Sequence, residues 1–251
     1  MLPLECSYPI SMDIFDVKEM FSRYYVEPAV ARKQVPAQWK IKIHENGQAL
    51  LLVMVQDCKK MVLERLFNVG SVRMAHIWIE LEGPPEVIAT RPGTSRTLPT
   101  WYWYIQPHQL DSRLAFFMFK LAGVSAQYVR TISLGGAPGG IRSGEVHESK
   151  TAGGDYHWTE TSQLYPQPDI ITGSHRFYRA YGSRESEAHA QCFTHFLADA
   201  QVELVASPDS TVGKLGFGGT LAGFSNPVWV KHCHVSYRVK LKLKTKHSRQ
   251  S

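Results

Sequence analysis

Alternation of apolar and polar residues with a period of two dominates this chain. Trp39-Lys40-Ile41-Lys42-Ile43 alternates, Glu45-Asn46-Gly47 supplies hairpin chemistry, and Ala49 to Gln56 is almost continuously apolar. Together they predict a hairpin leading into a buried central strand. Arg73 to Leu81 reads as a second long strand closed by Gly83-Pro84-Pro85, and Trp101-Tyr102-Trp103-Tyr104-Ile105 as a third on residue type. Between them Glu86 to Pro99, with Pro92, Gly93, Thr94 and Ser95, predicts a loop that covers or flanks a cavity. Further strands are expected around Tyr128–Leu134, Gly144–Ser149, Asp155–Thr159, Arg176–Tyr181, Gln201–Val205 and Val228–Val239. Gly135 to Gly140 reads as a hairpin tip, and Asp209, Ser210 and Gly213 to Gly219 as a turn or short helical connection.

A period of 3.6 is rarer. Ser11 or Asp13 is placed to cap a short helix through Phe15, Met20 and Phe21, and Pro28 to Gln34 reads as a second helix ending before Pro36. The strongest helical pattern is Asp111 to Ala122, with Leu110, Leu114, Phe117 and Leu121 on one stripe and Gly123 as its stop. The sum is a mainly β (α+β) chain, and 251 residues suit a single domain spanning 1–251.

Charge and cysteines narrow the classes. The net charge of +6 is uneven, because Lys240, Lys242, Lys244, Lys246 and Arg249 crowd one end. Val239 to Lys244 alternates as a final edge strand running into a frayed basic tail, 244–251. No recognition helix, zinc module or aromatic-studded basic strand accompanies it, so nucleic acid is not an expected partner. Cys6, Cys58, Cys192 and Cys233 are scattered without a CxxC pair, which predicts reduced thiols and a cytoplasmic protein. No secretory signal is visible, and the run Ala49 to Val55 is far short of the ~20 residues a membrane helix needs.

Several motifs are weak. His232-Cys233-His234 puts two imidazoles on one face of a strand, yet two ligands make no site and HExxH is absent, so neither a metal nor a cofactor is expected. There is no GxSxG elbow, and the glycines of 135–140 lack the Lys-Ser/Thr of a P-loop. Lys59-Lys60 is expected to be a solvated turn.

A helix ending at Val35-Pro36 precedes an apolar strand, the strand Gly70-Ser71-Val72-Arg73, an aromatic strand, and a helix followed by Gly. This order resembles the acetoacetate decarboxylase superfamily and its DUF2071-type relatives over about residues 20–150. The resemblance implies a large, curved, mostly antiparallel sheet or barrel closed around a cavity, and often a homo-oligomer. In that family a lysine forms a Schiff base with a ketone while a neighbouring cation lowers its pKa. A glutamate usually follows the arginine of the Gly-x-x-Arg strand; here Met74 stands in its place. The family lysine falls on Lys120 if Arg113 is matched to the helix arginine, or on Gln127 or Tyr128 if the loop after the helix is matched. On the helix Lys120 shares a face with Arg113 opposite the apolar stripe, which favours an exposed role.

The resemblance makes Arg73, Met74, His76 and Trp78 a candidate wall of the cavity. Either Trp101 and Trp103 or Tyr102 and Tyr104 join it, with Gln106 and His108 just beyond, and Gln127 and Tyr128 after the helix. So aromatic a lining suits a hydrophobic, partly oxygenated substrate. The expected function is an enzyme of secondary metabolism of cyclase, isomerase or pericyclase type working without a Schiff base, with His76, Tyr104 or Gln127 giving a proton or a hydrogen bond. The alternatives are a decarboxylase or aldolase-like lyase using Lys120, and a non-catalytic small-ligand binder.

Overall fold

Most of the alternating segments become strands of one sheet. The computed structural model describes residues 9–83, 96–136, 140–148, 155–164, 170–181, 184–196 and 198–241. Its strands are β1 (Pro9–Val26), β2 (Ala49–Leu63), β3 (Phe67–Glu80), β4 (Arg96–Ile105), β5 (His108–Leu110), β6 (Ala126–Tyr128), β7 (Thr131–Gly135), β8 (Ile141–His147), β9 (Asp155–Leu164), β10 (Ile170–Tyr181), β11 (Arg184–Phe196), β12 (Ala198–Ala206) and β13 (Gly219–Leu241). The α-helices are α1 (Pro28–Gln34) and α2 (Arg113–Leu121), and a short helical turn spans Gly213–Phe217, in keeping with the turn or short helical connection expected there.

Strands β1, β2, β3, β4, β10, β11 and β13 pair in that order, and β13 pairs back onto β1, closing a barrel of seven strands. All its ladders are antiparallel except β4 on β10. Closure gives every barrel strand a paired neighbour on each side. The start of β13, Gly219 to Ser225, also pairs with β12, and β12, β9, β8 and β7 continue as a flange.

Two cores result. Inside the barrel lie Leu52, Met54, Met74, Trp78, Trp103 and Leu110, with Ala115 and Phe119 of α2. The second core fills the layer between the barrel wall and the flange: Leu51, Val53, Val55, Ile77 and Ile79 meet Val146, Trp158 and Leu204. β2 separates the two cores and is buried on both faces, which is why its sequence does not alternate.

The interior face changes phase partway along three neighbouring strands. In β1 it passes from Met12 and Ile14 to Val17 and Glu19, and Asp16 between them has φ 49°. The ladders skip Asp16, Lys59 and Lys231 together. Cys58 is succeeded inside by Met61, and Cys233 is preceded by Val230. Such a step bends a sheet, as a barrel wall must bend.

Several expectations are corrected. The helix expected from Ser11 to Phe21 is strand β1, because ladders on both sides and burial on both faces outweigh an accidental helical spacing. Trp39 to Ile43 makes only the isolated bridges Ile41–Leu81 and Ile43–Ala49. Lys59 and Lys60 are exposed but lie within β2 rather than in a turn. On α2 the stripe Leu114, Phe117 and Leu121 faces outward, 54%, 56% and 68% exposed, while Ala115 and Phe119 face the barrel. The helix is apolar around most of its circumference, so its pattern does not choose a face. Leu110 is in β5.

The thiols are a further correction. Cys192 and Cys233 are direct partners in the β11–β13 ladder and are joined by a disulfide. A sequence separation of 41 hides a pairing that the register creates. Cys58 is free and buried. Most of the expected loop Glu86–Pro99, the tip of the 135–140 hairpin and the basic tail 244–251 lie outside the described residues; Arg96 to Pro99 begin β4. Among the described residues no helix is long and apolar enough to cross a membrane.

Candidate active site

Five polar side chains inside the barrel form one chain of contacts. Met74, His76 and Trp78 share the interior face of β3, as alternation requires, and all three are buried. Gln56 on β2 stands opposite Met74 in the ladder, and Glu19 on β1 stands opposite Gln56. The Gln56 Nε2 donates to Glu19 Oε2 at 2.7 Å, and the Gln56 Oε1 lies 3.1 Å from His76 Nε2. His76 Nδ1 is 2.8 Å from His108 Nδ1, and His108 Nε2 is 3.4 Å from the Tyr237 hydroxyl. These five side chains come from five strands, and each is buried.

An aromatic wall adjoins them. Trp78 packs on Phe177 and Trp103, and Trp101 stacks on His175 with ring centres 4.9 Å apart. Trp103 Nε1 donates to His175 Nδ1 at 3.1 Å. Trp78 Nε1 is buried and has no hydrogen-bond partner, although a buried donor nearly always finds one. Beside this wall β11 turns the small side chains of Ser186, Ala188 and Ala190 inward.

Burial dictates the protonation of these groups. It pushes the Glu19 carboxyl up to about 7, against a smaller opposing effect of the Gln56 hydrogen bond. Burial holds His108 down at about 4, helped by the Arg179 charge, and His175 at about 3, helped by His189. His76 is likewise held well below the ordinary imidazole range by burial and by His108. A histidine whose folded pKa is depressed binds its proton only in the unfolded chain between the two values. Stability is therefore complete above about pH 6.5 and falls as pH drops toward 4. Glu19 works oppositely, since a raised carboxyl pKa weakens the fold as pH climbs from 4.5 through about 7. Replacing His175→Phe, which suits its ring-lined surroundings, is expected to lower proton uptake on unfolding near pH 5 by about one. Urea unfolding between pH 4 and 8 measures this, and an unchanged slope would contradict a neutral His175.

Other anticipated site residues lie elsewhere. The interior pair on β4 is Trp101 and Trp103, whereas Tyr102 and Tyr104 point into the outer layer. Tyr104 packs on Trp39 and donates to the Ala180 carbonyl, so it does not share His76's face. Gln127 lies beside Gln109 in the β5–β6 ladder, and Gln109 faces the outer layer, where the Tyr156 hydroxyl donates to it. Tyr128 is on the surface with Phe116 and Arg113. Lys120 is exposed, its amine over the Phe116 ring. The residues after α2 that join the interior core are Val124 and Ala126, neither of which the two registers of the family match suggested. Arg73 spans the rim, donating to the Ile132 carbonyl and pairing with Asp111. Gln106 is buried and accepts from Arg179 at 2.8 Å. His232 and His234 both bond Asp13, and among the described residues no group of three or more His, Cys, Asp or Glu side chains is arranged for a metal.

Glu19, Gln56, His175 and Tyr237 are site residues that sequence reasoning passes over. Gln56 carried a signal, being a polar residue at the end of an otherwise apolar buried run. Glu19 was hidden inside the expected helix.

No protein-family model matches the chain. No curated protein matches it either. Solved structures do. Acetoacetate decarboxylase from Legionella pneumophila superposes with a TM-score of 0.54 at 7% identity, over 98% of this chain and 92% of that one. An acetoacetate decarboxylase-like enzyme from Sphingomonas wittichii gives 0.52 at 12% identity, over 94% and 92%. The enduracididine biosynthesis enzyme MppR, solved with pyruvate, gives 0.50 at 14% identity, over 93% and 88%. The chain has an acetoacetate decarboxylase-like fold. In this decarboxylase-like barrel Met74 is an interior residue packed among apolar neighbours, and among the described residues no lysine is buried.

Proposed function

We propose that the chain is an enzyme that holds a hydrophobic, oxygenated substrate of polyketide, terpenoid or aromatic type inside its barrel. It converts that substrate without a Schiff base, by cyclisation, isomerisation or a pericyclic step. The observation that carries this reading is the makeup of the interior: among the described residues it contains no lysine, and the apolar Val124 and Ala126 turn inward after α2. An amine cannot condense with a ketone it does not meet. The interior offers aromatic faces from Trp78, Trp103 and Phe177, and the free Trp78 N–H suits a ligand oxygen. Shape and a few fixed hydrogen bonds can lower the barrier of an intramolecular reaction by several kcal/mol, roughly the lower end of what orientation achieves. His76 and His108, both neutral, supply the acid–base groups.

The bicyclic ketone 1-tetralone serves as the probe. It is expected to quench tryptophan fluorescence and raise the melting temperature. Trp78→Phe is expected to weaken its binding about tenfold, the effect of one lost hydrogen bond. Faster exchange of its C2 hydrogens in D2O marks an enzyme, and binding without acceleration marks a carrier. Borohydride with acetoacetate is expected to leave the mass of the protein unchanged; an adduct mapped to Lys120 would overturn the reading in favour of a lyase.

A further inference from the structure

The chain from Glu19 to Tyr237 has a direction, and that direction follows from its ends. An ionised Glu19 can only accept, so Gln56 turns its NH2 group to it and its carbonyl to His76. That carbonyl can only accept, so His76 carries its proton on Nε2 and leaves Nδ1 as an acceptor. His108 must then donate from Nδ1 across the 2.8 Å contact, which leaves His108 Nε2 to accept from the Tyr237 hydroxyl. Each neutral imidazole has one donor and one acceptor nitrogen, so fixing one fixes the next.

A protonated Glu19 gains an O–H to donate, which makes the reverse arrangement available. Its O–H donates to the Gln56 carbonyl, the amide turns over, and the NH2 group donates to His76 Nε2. His76 then donates from Nδ1 to His108, and His108 donates from Nε2 to the Tyr237 oxygen. In the first arrangement the phenol's proton is engaged by His108 and only its lone pairs remain for a ligand. In the second its O–H is free to be donated.

We propose that Glu19 is a positioning residue that decides, through Gln56, His76 and His108, whether Tyr237 meets a bound ligand as an acceptor or as a donor. The inference rests on the reading of the barrel interior as the substrate site and deepens it. The donor arrangement favours a carbonyl or a developing oxyanion, and the acceptor arrangement favours a hydroxyl or an enol. Among the described residues, groups face the chain from β2, β3, β8, β10 and β13. Gln56 and Cys58 face Glu19 from β2, and Arg142 of β8 bonds the Glu19 backbone carbonyl. His76, Arg179 and Tyr237 face His108 from β3, β10 and β13. Burial raises the Glu19 carboxyl to about 7, so both arrangements are within reach at neutral pH.

Histidine tautomers read by nitrogen-15 NMR test this on the unliganded protein. At pH 8.5 His76 is expected as the Nε2–H tautomer and His108 as the Nδ1–H tautomer. Both are expected to invert together as pH falls through about 7. Glu19→Gln is expected to hold one pair of tautomers across the whole range. If that variant does not fold, the wild-type titration alone decides. Tautomers that stay fixed as Glu19 titrates, or that change independently of one another, overturn the proposal. Because no ligand is present, this failure is distinct from a failure of 1-tetralone to bind, which would strike the functional reading instead.

Discussion

Arg142→Met is expected to destabilise the fold by about 3–5 kcal/mol, the range for removing one partner of a buried ion pair. Arg142 Nη1 meets Glu160 Oε1 at 3.2 Å in the outer layer, and both side chains are buried. The Ser225 hydroxyl donates to the other carboxylate oxygen at 2.8 Å, and Ser22 donates to Ser225. Without the guanidinium, Glu160 keeps one hydroxyl donor for a charge that cannot reach water. The double variant Arg142→Met/Glu160→Leu is expected to recover much of the loss, because the desolvation cost then disappears with the charge. Guanidinium unfolding of the two single variants and the double separates these cases. Equal losses in single and double variants would mean that packing, not charge, explains the effect.

Trp103→Ala should cost about as much, roughly 3–5 kcal/mol for truncating a large buried aromatic. Its ring lies between Trp78 and Phe21, and its N–H is the donor that fixes the His175 tautomer. The same change should abolish 1-tetralone binding, since two of the three aromatic faces proposed for the ligand depend on its position. Trp103→Phe keeps most of the packing but frees His175. It should therefore lose less stability than the alanine variant and bind the ketone more weakly than wild type. A small effect of the alanine variant on unfolding would show that the interior collapses around the gap, and would argue against a shaped site.

The sequence made the barrel wall legible and left its contents ambiguous. Period-two alternation placed Met74, His76 and Trp78 on one face correctly, because a strand admits no other arrangement. It could not say whether the tryptophans or the tyrosines of β4 turn inward, since both faces of that strand are buried and both sets are aromatic. The family resemblance led to the right fold. It could not place Lys120, Gln127 or Tyr128, because α2 is apolar on nearly every side and its register against the barrel is a tertiary choice. The disulfide and the Glu19–Tyr237 chain depend on which strands are neighbours, and β13 reaches β1 across most of the chain. No local pattern records such a pairing.

The step at Asp16, Lys59 and Lys231 also sorts the chemistry of the barrel. Were β1 to continue in the phase set by Met12 and Ile14, Met20 would point inward and Glu19 would be turned to the opposite layer. One residue in a left-handed conformation thus separates a lumen holding a carboxyl group from one holding a thioether. Removing Asp16 from the chain would restore plain alternation with Val17 and Glu19 still facing the lumen, so it is the straightening of this residue within a strand of full length, not its loss, that would exchange the occupants of the two compartments.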